Sequence, residues 1–191
     1  EILPKVDTDF VKLINPDLDS LEGFQDEVKN KIGENFASRS RQSFERELTD
    51  AMIAKVDPGA PPSMVDNYLS NIVEDVKKQN KGEPLDEEKV RETYRPAAER
   101  NLKWYLVRKK IIEENGLKVE RKDVDQEIET LVQRSPASEK EIRKFYRKPS
   151  NRKRLEDDLV EKKILDYLEQ FANVKEVEVH TKDIRKDTHG Y

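Results

Sequence analysis

Few residues of this 191-residue chain are of types that could do chemistry. The two histidines, His180 and His189, both lie near the C-terminal end, and there is no cysteine. That removes thiolate nucleophiles and disulfides, and it leaves no helix-borne base for a hydroxyl nucleophile. The two histidines are too few for a metal site, and the second falls in a segment expected to be loose. Six glycines are scattered, with neither the G-x-G-x-x-G nor the G-x-x-x-x-G-K-[ST] spacing. No loop is therefore built to cradle a phosphate with backbone amides. Asp157–Asp158 and Glu113–Glu114 are adjacent on expected helices, where neighbours point about 100° apart, so neither pair converges on one proton. They read as solvated faces. No catalytic residue, metal ligand or cofactor is assigned.

Two features have another use. RKFYRKPSNRKR at 143–154 holds seven cations interleaved with Phe145 and Tyr146. Cations could neutralise phosphates while the rings stack on bases, as in single-strand nucleic-acid binding. The structural reading is simpler. Arg147 and Lys148 close a helix, where positive charge favours the dipole, and Arg152, Lys153 and Arg154 face Glu156, Asp157 and Asp158 at helical spacing. A third reading is a basic rim for acidic partners. The second feature is a surplus of apolar residues on the segments 62–80 and 95–115. Trp104, Tyr105, Leu106 and Val107 are contiguous and so occupy most of a helix circumference. Either several helices surround this point or some of these side chains face a partner.

The elements that position these residues are helical almost throughout. Charged residues make up 41% and mean hydropathy is −0.98, values that lean toward disorder. Leu, Ile, Val and Phe nevertheless number 48 of 191, about 25% and above the roughly 20% below which chains fail to fold. A thin core and much exposed surface are expected. Net charge is −4, from 37 basic and 41 acidic residues, so no global field attracts nucleic acid or membrane. No apolar run approaches the ~18 residues that span a bilayer. The start, EILPKVDTDF, has neither a signal-peptide pattern nor an initiator Met, and the chain reads as a fragment of a longer protein.

Val6, Phe10 and Ile14, four apart, predict a short helix over 7–15 that stops before Pro16. Asp19 is the expected N-cap of a long helix to Val56, with Glu22 completing a capping box. Its apolar positions (Leu21, Phe24, Val28, Ile32, Phe36, Phe44, Leu48, Met52) step by four and so wind around the helix. DPGAPP at 57–62 breaks it. A second helix over 62–80 ends at Gly82 and Pro84. Asp86 caps a third to Asn115, with a kink expected at Pro96 and Gly116 as a left-handed C-cap backed by Leu117. Helices over 122–134, 139–147 and 151–172 follow, the middle one opened by a Ser138-x-x-Glu141 box. VKEVEVHT at 174–181 alternates like an edge strand, and the tail from 182 is expected to be loose. The breaks make antiparallel helical hairpins.

Several segments, in order, resemble the C-terminal domain of bacterial trigger factor. LPKVDTDFVKLI resembles the segment that leaves the family's isomerase domain, and DSLEGFQDEVKNKI the start of its long helix. PPSMVDNYLSNIV and AERNLKWYLVRKKIIEENGLKV resemble its first arm, and EIRKFYRKPSNRKRLEDDLVEKKILDYL the end of its second. The resemblance covers residues 1–181. It implies an all-α domain with a spine helix and two arms: leading segment and spine 1–56, arm one 57–116, arm two 117–173, return segment 174–181, and a loose tail 182–191. It implies an ATP-independent cytoplasmic chaperone that binds unfolded or nascent polypeptides, without membrane or cofactor. The ribosome would be reached only through a domain outside this chain, and the isomerase activity belongs to another absent domain, so no enzyme activity is expected. The expected client-binding residues are Met64, Tyr68, Ile72, Val76, Trp104, Tyr105, Leu131, Ile142 and Phe145. Among them Ile142 and Phe145 match family positions, and Leu131 matches more loosely. A nucleic-acid-binding module using 143–154 and a periplasmic chaperone of related fold are the alternatives. Client identity and homo-oligomerisation are left open.

Overall fold

A computed structural model describes residues 6–80 and 84–180. It is 78% helical, with seven α-helices and no strand among the described residues. The helices are α1 (Thr8–Ile14), α2 (Leu21–Val56), α3 (Pro62–Gln79), α4 (Glu87–Asn115), α5 (Arg121–Arg134), α6 (Glu139–Phe145) and α7 (Pro149–Glu169), with a 3-10 turn at Pro136–Ser138. The all-α expectation holds. The edge strand does not: residues 174–180 have no strand partner among the described residues, and Val174, Val177 and Val179 stand exposed. Alternation alone cannot make a strand where no neighbouring edge accepts its hydrogen bonds. Thr181 and the tail 182–191 lie outside the described residues, as does Gly82.

The chain divides into two compact units, residues 1–47 and 48–191, with the boundary inside α2. In the first unit, Asp7 caps α1 by accepting from the Phe10 amide at 3.1 Å. Val11 is fully buried, and Phe10 meets Phe24 edge to face with centroids 6.2 Å apart. The cap of α2 is Ser20 rather than Asp19: its hydroxyl accepts from the Gly23 amide at 3.0 Å. Both residue types cap well, and the choice falls one residue later than the spacing suggests. Of the 36 residues of α2 only Thr49 is buried, and none of the residues of the winding apolar stripe is.

The second unit has three apolar clusters. Val65 and Leu69 of α3 close on Ala98 and Leu102 of α4, making a helical hairpin. Pro96 lies within α4 without ending it. Val107 and Ile111 of α4 meet Ile164 and Leu168 of α7, with Leu48 and Met52 from the end of α2 packed against them. Val124 and Ile128 of α5 meet Leu155 of α7. Between α4 and α5 the chain reverses at Gly116, with φ 60° and ψ 28°. A side chain there would be strained, and glycine is not. The Leu117 amide reaches back to the Ile112 carbonyl at 3.3 Å, and its side chain packs on the second cluster. The Ser138 capping box does not form, because the 3-10 turn carries the chain directly into α6. A box forms instead at α5, where Asp123 accepts from the Glu120 amide at 3.0 Å.

Candidate functional site

The site begins with how α6 is held. Its seven residues are too short to be stable alone, so contacts from α5 and α7 must fix it. Ile142 and Tyr146 pack it onto the Val124–Ile128–Leu155 cluster, and Arg143 sets its direction. Its guanidinium makes two bonds to the Glu129 carboxylate on α5, at 2.6 and 2.8 Å, and one to Glu139 at 2.8 Å. Two parallel bonds set direction as well as distance. Asn151, in the first turn of α7, donates to the Phe145 carbonyl at 2.8 Å and so fixes the α6–α7 turn. That turn starts α7 at Pro149, two residues before the expected start, because proline is favourable at the first helical position.

Held this way, α6 and the end of α5 leave an open cleft of about 520 Å³ between them. Leu131, Arg134 and Ser135 line one wall, and Glu141, Ile142, Phe145 and Tyr146 the other. Phe145 and Tyr146 meet edge to face, with centroids 5.1 Å apart and planes at 89°. Tyr146 and Ile142 pack back onto the Val124–Ile128–Leu155 cluster. Phe145 does not, and 54% of it faces solvent.

Three of the nine expected residues therefore share one cleft: Leu131, Ile142 and Phe145. The rest are placed elsewhere. Met64, Tyr68 and Ile72 are half-buried against the α3–α4 cluster, and Tyr68 also accepts from Asn101 at 3.2 Å. Val76 is half-buried further along α3. Trp104 packs into the α4–α7 cluster and donates its indole N–H to Glu161 at 2.7 Å, while Tyr105 is 45% exposed. The contiguous apolar run on α4 is thus explained mainly by neighbours on several sides, with Tyr105 as its exposed member.

Sequence reasoning did not place Tyr146, Arg134, Ser135 or Glu141 in the wall. Nor did it single out a second apolar groove, of about 310 Å³, in the first unit, lined by Val6 and by Leu21, Phe24, Val28 and Ile32 of α2, the last four at helical spacing. Their three- and four-residue steps were the available signal.

Electrostatics tie α5 to its neighbours. The Asp123 carboxyl is held below its usual range by Lys163 at 2.7 Å and then by the Glu120 amide. Arg152 does the same to Asp125, and Arg143 to Glu129. Depressed folded pKa values contribute stability above the unfolded carboxylate range and lose it as pH falls through the folded values. A chain taken below about pH 4 should therefore show a lower urea midpoint than at neutral pH. High salt at neutral pH should weaken the same contacts. An unchanged midpoint on acidification would contradict these pairings.

Among the described residues no helix is long and apolar enough to cross a membrane. The comparisons with known proteins are specific. Residues 20–170 match the family model described as the C-terminus of bacterial trigger factor protein. Similar curated proteins include trigger factors from Salinibacter ruber, 30% identical over 87% of this chain, and Nitrobacter hamburgensis, 30% identical over 96%. Another, from Methylobacterium radiotolerans, is 31% identical over 91%. The chain spans 37%, 42% and 38% of these relatives respectively, about two fifths of their length. The chain belongs to the bacterial trigger factor C-terminal family. The matched region is the family's non-catalytic chaperone part, and the prolyl isomerase domain is separate from it.

Proposed function

We propose that this chain is an ATP-independent chaperone domain of the cytoplasm, binding unfolded or nascent polypeptides on exposed apolar side chains. Residues 57–116 and 117–173 would act as its two arms. The observation that carries the reading is the α5–α6 cleft. Leu131, Ile142 and Phe145 line an open apolar surface that none of the described elements covers, and Phe145 is more than half exposed. A fixed helix that leaves a large ring in water presents a site for an apolar side chain from elsewhere. Tyr105, and the half-buried Met64, Tyr68, Ile72 and Val76, offer further contact along the hairpin; Trp104 contributes through packing of the α4–α7 joint. Contact with the ribosome would fall to another domain of the family.

Diluting a denatured client into buffer with an excess of the chain tests this directly. Light scattering should fall markedly and equally with or without ATP. Undiminished aggregation at every ratio would overturn the proposal. In coupled proteolysis of a proline-containing peptide the chain should leave isomerisation at its uncatalysed rate, since the isomerase lies outside the matched region. Clear acceleration would contradict that.

A further inference from the structure

The seven cations of 143–154 are not equivalent. Arg143 is neutralised by Glu129 and Glu139, Arg152 donates to Asp125, and Lys153 lies 3.3 Å from both Glu156 and Asp157. Lys144, Arg147, Lys148 and Arg154 pair with no carboxylate among the described residues. The first three adjoin Phe145 and Tyr146 in sequence, and Arg134, in the facing wall, is likewise without an ion pair. Glu141 is the single carboxylate among the lining residues. This surplus positive charge is local, because the chain as a whole carries −4. Cations within one or two residues of the wall act on any segment in the cleft, the screening length being about 10 Å at about 0.1 M salt.

We infer that the α5–α6 cleft selects unfolded segments in which an aromatic or aliphatic residue is flanked by Asp or Glu. The apolar side chain enters between Leu131, Ile142 and Phe145, and the flanking carboxylates meet Arg134, Lys144, Arg147 and Lys148. The inference rests on the client-binding reading above. A polypeptide fits better than a nucleic acid for two reasons. Three of the seven cations are already spent on internal carboxylates, and of the two rings in 143–154 Tyr146 packs onto the α5–α7 cluster, leaving Phe145 exposed for stacking. Lys and Arg stems would also extend the apolar surface while their heads reach the acidic flanks.

The test uses the full chain and two labelled peptides with one apolar centre, flanked on both sides by Asp in one and by Lys in the other. Anisotropy at low salt should show the acidic peptide about ten-fold tighter, a preference that shrinks to about two-fold near 1 M salt. Because the net negative charge of the chain opposes this outcome, a general field cannot produce it. The double variant R147E/K148E, with its helical circular dichroism unchanged, should lose the preference. Equal binding, or tighter binding of the basic peptide, overturns the inference and leaves the client-binding reading standing. Binding of neither peptide overturns both. A single-stranded RNA that displaces the acidic peptide with a steep salt dependence would overturn it in favour of phosphate recognition.

Discussion

Ile164→Ala is expected to cost the chain about 2–5 kcal/mol, against a total stability of about 5–15 kcal/mol for a domain of ordinary size. Ile164 has no exposure, and it sits where α7 crosses α4, packed with Val107, Ile111 and Leu168. Leu48, Met52 and Trp104 surround the same point. Truncation leaves a cavity that few neighbours can fill: Trp104 is tethered to Glu161, whose other oxygen holds Arg108 at 3.0 Å. With a core this thin there is little else to compensate. Urea melts should show a large drop in midpoint, while the adjacent exposed change Lys162→Ala stays within about 0.5 kcal/mol. A small loss at Ile164 would mean that the joint of α4 and α7 is not the structural centre of this unit.

Phe145→Ala is expected to do the reverse. A ring that is 54% exposed forfeits little burial, and its edge-to-face contact with Tyr146 is the main loss. Stability should fall by about 0.5–1 kcal/mol, well short of the 3–5 kcal/mol of a core phenylalanine. Client affinity should fall by about 1–2 kcal/mol, a five- to thirty-fold weakening typical of a central apolar contact. Ile142→Ala is expected to affect both quantities, because Ile142 lines the cleft and also packs on the Val124–Ile128–Leu155 cluster. The sequence spacing, which puts both side chains on one face, predicts like behaviour; their different depths separate them. Denaturant melts and the aggregation assay on the same variants check this. A strongly destabilised Phe145→Ala chain whose folded fraction still held clients would return the ring to the core.

Local signals in the sequence were legible where one residue type carries one geometry. Asp86 accepts from the Lys89 amide at 3.1 Å, and Gly116 takes the left-handed cap, both as spacing predicts. Signals that two residues can satisfy equally were not resolved. Ser20 outcompetes Asp19 as a cap, and Pro149 opens α7 instead of preceding it. Tertiary facts were harder still. Nothing in VKEVEVHT reveals whether a second edge is present to pair with it. The even winding of apolar residues along α2 hides the division between Glu47 and Leu48. Trp104 and Phe145 are both large aromatic residues on helices, and only the neighbours in space make one a packed joint and the other an exposed ring. The cleft was legible in part: Leu131, Ile142 and Phe145 came from the resemblance and from helical spacing. Tyr146 escaped because α6 ends at Phe145, and the turn brings the next ring into the same wall.

The most direct test of the α5–α6 cleft as a client site is methyl NMR of the chain titrated with an unfolded, non-aggregating client. The methyl signals of Leu131 and Ile142 should shift or broaden as client is added, while those of Leu69 and Ile164, both without solvent exposure, hold still. Perturbation confined to other methyls, with Leu131 and Ile142 unmoved at saturation, would contradict the account.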